Sequence, residues 1–350
     1  MKKTILLTTL ITSALFVSAQ IVYIPDNNFK AALVNNTSIN TNGDGEIQLI
    51  EALATETIFL LNENISDLTG LEAFTNLTYL MCFRNQISTI DVSNNIALIS
   101  LNCGENKLTS LDISKNKALV SLDCRDNQLT SLDVSHNTAL KELCCEVNQL
   151  VSLNINNNTN LVKLECGFNQ IKTLNLQNNI YLKTLTCSDN LLTSLNIDNN
   201  VDLTILECWV NQLENLDVSN NIALTTLECN YNNLHTLDIS NNTALIKLLC
   251  PYNKITMLDV SNNTALTYLY CASNQLLTLD VNNNTNLYEL HCGNNKLQSL
   301  KMKNGSNINL KFFNAEQNFH LRCIEVDNVK WATENLKQVD RIESFKDNCK

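Results

Sequence analysis

Eleven of the 14 cysteines in this 350-residue chain stand at a single spacing, from Cys82, Cys103 and Cys124 through to Cys271 and Cys292, with 21 residues in every gap. A second column keeps the same step three residues later, from Asn85 and Asn106 to Asn274 and Asn295. Two registers held this long without a slip mean that the chain is built from copies of one short unit. Such a unit cannot bury its apolar side alone and does so only against its neighbours. The chain must therefore stack. Asn fills about one residue in six, while 7 Gly and 2 Pro are too few to turn a conventional loop-rich globule.

Aligned on these columns, one unit reads Leu119-x-x-Leu122-x-Cys124-x-x-Asn127-x-Leu129, followed by Leu132-Asp133-Val134-Ser135-x-Asn137. Its first eleven positions resemble the leucine-rich repeat consensus, with Cys in place of the third Leu. The resemblance covers Leu77 to about Phe319 and implies a right-handed, mainly β solenoid, its Leu and Cys columns forming one core. Each Asn is expected to bond the free backbone groups of its tight turn and to form a ladder through its neighbours. Only ten residues remain for the return, too few for a helix and two turns, and Leu-Asp-Val-Ser alternates like a strand. The convex side is expected to be extended or 3₁₀.

Stacked columns hold neighbouring Cβ atoms about 4.8 Å apart, outside the usual range of about 3.5–4.5 Å for a disulfide, and eleven is an odd number. The column therefore reads as small buried hydrophobes. Cys144 breaks it, on the outward side of its strand, and reads as a candidate reactive thiol.

Both ends of a stack need closing. Residues 1–19, with Lys2 and Lys3, an apolar run from Ile5 to Val17, and Val17-Ser18-Ala19, read as a secretory leader, too short and too interrupted for a membrane span. Its removal takes away two lysines, so the net charge of -11 becomes -11 minus 2, or -13. That acidity excludes nucleic acid as a partner. No later apolar run is long enough to span a bilayer, and the product is expected to be secreted or at the cell surface.

Residues 20–64 read as a small helical N-terminal cap. Asn40 to Glu51 matches a twelve-residue EF-hand loop, with oxygen donors at Asn40, Asn42 and Asp44, Gly45 for the sharp turn, the Glu46 carbonyl, and Glu51 as the bidentate ligand. Phe29 to Val34 would form the incoming helix and Leu49 to Leu61 the outgoing one. Asn40 replaces the usual Asp, so the loop implies a single weak Ca²⁺ site, or a plain turn. From Ile65 the step-by-three apolar positions Leu68, Leu71, Phe74 and Leu77 resemble the first irregular repeat of internalin-like proteins, opening a solenoid that runs to residue 319. Residues 320–350 resemble the closing segment of secreted bacterial leucine-rich repeat proteins, where a terminal Cys pair staples the cap. Cys323 and Cys349 are the pair this implies, against the alternative of two separate thiols.

On each strand the residues flanking Leu and Cys point out of the concave sheet. The early turns place small polar groups there, such as Ser100 and Ser121. Later turns place Glu207, Trp209, Glu228, Tyr231, Tyr252, Tyr268 and Tyr270, with Phe168 and His291 nearby. Aromatics among carboxylates on a rigid sheet suit protein interfaces and sugar-binding surfaces, so these seven are the expected ligand site. Catalysis finds no support, because His136, His235, His291 and His320 are scattered, without a nucleophile signature or a Gly-rich phosphate loop. The expected function is an exported, non-catalytic recognition module binding a protein or glycan. A structural or adhesive surface protein and an inhibitor of a secreted enzyme are the alternatives.

Overall fold

The computed structural model describes residues 20–340 and 344–349. The expected leader, residues 1–19, lies outside the described residues. The chain forms two compact units, one ending at Asn160 and one starting at Leu161.

The first unit opens with helix α1 (Asn27–Val34), which begins where Asp26 accepts the N–H groups of Asn28 and Phe29. The other carboxylate oxygen of Asp26 accepts from the Ser66 and Asp67 backbone, tying the cap to the first turn of the stack. Phe29, Leu33 and Phe74, all fully buried, close the end of the core. Helix α2 (Leu49–Ala54) is shorter than the expected Leu49–Leu61, because Thr57–Phe59 forms strand β1 instead. Its β-branched and aromatic residues suit a strand, and β1 pairs in parallel with β2 (Tyr79–Met81), an interaction no helix offers. The sheet continues through β3 (Ser100–Asn102), β4 (Ser121–Asp123) and β5 (Glu142–Cys144), each step aligning Leu with Leu.

In the second unit, parallel strands follow at 21-residue steps: β6 (Lys163–Glu165), β7 (Thr184–Thr186), β8 (Ile205–Glu207), β9 (Thr226–Glu228), β10 (Lys247–Leu249) and β11 (Tyr268–Tyr270). On the return side β12 (Thr278–Asp280) then appears, while the concave sheet ends with β13 (Glu289–His291) and β15 (Phe312–Asn314). A second parallel sheet on the return side pairs β12, β14 (Ser299–Met302), β16 (Cys323–Val326) and β17 (Ser344–Lys346). Helix α3 (Val329–Asn335) lies in the closing segment, where a disulfide joins Cys323 and Cys349. Among the described residues no α-helix falls within the regular repeats, and none is long and apolar enough to cross a membrane.

Inside the units, the Leu and Cys columns of the regular concave turns and, from Leu111 and Ile113 onward, the paired apolar residues of the return segments are buried. The column cysteines are buried thiols, and burial pushes those of Cys82, Cys187, Cys250 and Cys292 up to about 12. Cys144 is buried as well, 7% exposed, so the expectation of an accessible reactive thiol fails although its position in the strand is outward.

The Asn column works as a stitch between turns. Asn232, for example, accepts the Leu213 N–H at 3.0 Å and donates to the Cys208 and Cys229 carbonyls at 3.0 and 3.1 Å. A second buried Asn column, from Asn95 and Asn116 to Asn263 and Asn284, stitches the return side through its amide N–H groups alone. Asn242 there donates to the carbonyls of Val218 and Asn221 at 2.9 Å each. The residue before each concave Asn has positive φ, including bulky Val147, Phe168, Tyr231 and Tyr252. The hydrogen bonds of the stitched turn hold side chains in a conformation that isolated residues of this size avoid.

Candidate functional site

Because side chains alternate along a strand, the residues on either side of each buried Leu face away from the core. In the second unit these outward positions gather most of the expected site. Tyr231 and Tyr252, in the loops after β9 and β10, stack at 4.2 Å between ring centroids and 10° between planes, each about half exposed. Trp209 packs elsewhere, edge-on against Phe168 at 5.3 Å. The five aromatics of the expected seven therefore fall into four separate ring contacts, with Tyr268 meeting Tyr288 and Tyr270 meeting His291.

Cross-strand diagonals organise the rest. The ladder sets Glu207 beside Glu228 and Tyr270 beside His291. Lys247 lies opposite Thr226 but reaches diagonally to Glu228, 2.5 Å away. Tyr270 likewise donates its hydroxyl to Glu289 and tilts against His291, with centroids 4.2 Å apart. Burial and then the bond to Glu289 push the Tyr270 phenol up to about 12, so at neutral pH it is a neutral donor. Burial pulls His291 down from its ordinary value, against the pull of Glu289, which keeps the imidazole neutral. Burial, then the neighbouring Glu228, raise the carboxyl of Glu207. The Glu207 side chain makes no direct ion pair or hydrogen bond among the described residues, and the charge of Lys247 nearby opposes the rise only in part.

Between β10, β11 and β13 lies a hollow of about 350 Å³, walled by Lys247, Leu249, Tyr268, Tyr270 and Glu289. Tyr268 and Tyr270 were among the expected residues, whereas Lys247, Leu249 and Glu289 were missed. They occupy the same outward columns, so the 21-residue alignment contained the signal. What it lacked was the diagonal pairing. A larger hollow of about 570 Å³ lies where the last repeat meets the closing segment, lined by Phe312, Phe313, Trp331 and Leu336 among others. Its walls are the packing seam of that cap.

In the N-terminal cap, Asn40, Asn42, Asp44, Glu46 and Glu51 come together on one loop, with Gly43 and Gly45 at positive φ. Glu51 is 5% exposed and turns its carboxylate back onto the loop, accepting from the backbone N–H groups of Thr41, Asn42 and Gln48. No cation faces it among the described residues, since Lys30 pairs with Glu46, 2.6 Å away. The Thr41 hydroxyl donates to it too, so Glu51 caps helix α2 with bonds from its own loop, and the oxygens of Asn40, Asn42 and Asp44 accept from the N–H groups of Gly43, Asp44 and Glu46; the donor types suit a cation, which would have to replace some of these bonds. The side chain of Glu46 is taken by Lys30, which leaves its carbonyl for that role.

No family profile and no curated protein matches the sequence. Solved structures do. The functional domain of InlJ from Listeria monocytogenes, which includes a cysteine ladder, is 31% identical with a TM-score of 0.78, covering 91% of this chain and 78% of its own. An internalin from the same species, InlF, has the same TM-score at 22% identity, with 93% and 96% covered. The leucine-rich effector YopM from Yersinia pestis has a TM-score of 0.65 at 19% identity, with 93% and 92% covered, and shares the fold alone. With this solenoid, this repeat and identity to InlJ over most of both chains, the protein belongs to the internalin-like leucine-rich repeat proteins.

Proposed function

We propose that the protein is an exported, non-catalytic recognition module that binds a protein or glycan through the concave face of its second unit. The supporting observation is the gathering there of the exposed pair Tyr231 and Tyr252 and, around an open hollow, of half-buried Tyr268 and Tyr270 with Glu289, on strands each locked by a neighbour. Rigid rings contribute contact area at little entropic cost, and the fixed strands spare the ordering cost of binding. Internalin-like neighbours are consistent with an interaction module.

The test is a capture screen of the mature protein against immobilised glycans and cell-envelope proteins. Whatever binds should lose about 1–3 kcal/mol of affinity with Tyr252→Ala or Tyr270→Ala, and little with Ser100→Ala or Ser121→Ala. A ligand sensitive to the serines and indifferent to the tyrosines would place the site elsewhere. Capture only of further copies of this chain would favour the adhesive alternative.

We propose further that Asn40, Asn42, Asp44, the Glu46 carbonyl and Glu51 hold one weakly bound Ca²⁺ that stiffens the N-terminal cap. The buried charge of Glu51 supports this reading.

A further inference from the structure

Three of the four polar side chains around the hollow are already engaged, and the Tyr268 hydroxyl alone has no hydrogen-bond partner among the described residues. Glu228, outside the hollow, holds Lys247, and Glu289 accepts from Tyr270, so Leu249 and the two tyrosine rings supply the larger part of the surface facing the space. A sugar ring brings a hydroxyl on nearly every carbon, and a hydroxyl buried without a partner costs about 1–3 kcal/mol. An aliphatic or aromatic side chain brings none. The hollow is therefore shaped for an apolar anchor, the group that typically dominates protein interfaces.

The charge around it is one-sided. On the outward strand positions of this unit, Glu165, Glu207, Glu228 and Glu289 face Lys163 and Lys247, four carboxylates against two ammonium groups. Both lysines are engaged, at 2.9 Å from Glu165 and 2.5 Å from Glu228. The Glu207 carboxylate has no direct pair, feels Lys247 only from beyond contact distance, sits beside Glu228 in the ladder and is partly buried. An incoming cation relieves both the repulsion and the unpaired charge. Rings that attract cations stand in the same and the next turn, Trp209 and Tyr231.

We propose that this face takes a basic polypeptide, which sets one large aliphatic or aromatic side chain into the hollow and one Lys or Arg onto Glu207. The proposal rests on reading the concave face as the binding site. From β8 to β11 is three strand steps, about 14 Å, which an extended segment spans in about four residues. The partner therefore carries its basic and its apolar side chains about that far apart.

Panning the mature protein with a phage-displayed library of random peptides, at physiological salt, tests this. Enriched sequences should place Lys or Arg about four residues from a large apolar side chain. Synthetic copies should bind about five- to ten-fold more weakly to Glu207→Gln and to Leu249→Lys, and unchanged to Asp238→Asn on the return side, with circular dichroism confirming that each variant is folded. No enrichment, enrichment without that pair of residues, or equal loss with Asp238→Asn overturns the proposal. Binding to immobilised glycans that Tyr270→Ala abolishes would also overturn it while keeping the concave face as the site. Binding sensitive only to convex substitutions would overturn both readings.

Discussion

Asn232 and Asn242 occupy corresponding places in the two Asn columns, yet they should tolerate Ala very differently. Asn242 is the more buried, 0% exposed against 8%. Burial alone would make it the costlier residue to lose. The hydrogen-bond ledger says the reverse. Removing Asn232 leaves the Cys208 carbonyl with Asn211 at 3.2 Å and the Cys229 carbonyl with Asn253 at 3.0 Å, but takes away the acceptor of the Leu213 N–H. That buried donor is left without a partner, at a cost of about 1–3 kcal/mol. Removing Asn242 orphans nothing, since the Asn221 N–H still bonds Val218 O and the Leu224 N–H still bonds Asn221 O. It also deletes a buried amide oxygen that has no protein partner. We expect Asn232→Ala to cost about 2 kcal/mol and Asn242→Ala less than about 1 kcal/mol, read as urea midpoints at constant slope. Native-state amide exchange gives the local test. Exchange at Leu213 should quicken about 30-fold in Asn232→Ala, since 1.4 kcal/mol is a factor of ten. Equal costs, or an unchanged Leu213 amide, would refute the stitching argument.

Burial pushes the column thiols well above their ordinary value, so iodoacetamide at pH 8 should leave them unlabelled in the folded protein and label them all after unfolding without reductant; labelling of Cys208 or Cys229 in the native state would count against a closed core. Millimolar Ca²⁺ should raise the melting temperature by linkage, and Glu51→Gln should abolish the rise; a flat response in both proteins would leave Asn40–Glu51 as a turn only. Val147, a β-branched residue at φ 52°, is held in the left-handed region, so Val147→Gly should stabilise the fold by about 1 kcal/mol, and destabilisation would show that its side chain contributes more than its strain costs.

Much of this molecule was legible before any coordinates. The 21-residue register identifies which side chains enter the core, because a stack of identical turns places each column at one depth. Leu122, Cys124 and Val134 needed only the alignment, and so did the Asn at position nine of each unit. The absence of helices from the regular return segments followed from the ten residues left for them. At the ends, where the register stops, reading was weaker. Thr57–Phe59 looked like the tail of a helix because the residues around it are helix formers, and only the edge of β2, brought alongside by the stack, makes it a strand.

The outward face shows the other side of that limit. The columns named Glu207, Trp209, Tyr231 and Tyr270 as outward, since a period of two decides the face. They could not say that Trp209 turns to Phe168, that Tyr231 lies flat on Tyr252, or that Lys247 reaches across to Glu228 and leaves Glu207 alone. Cys144 was placed on the outward side and is nevertheless buried. Core positions are decided by repetition along the chain, which a sequence displays. Surface pairings are decided by side-chain rotamers and by diagonals between strands, and these exist only once the turns are stacked.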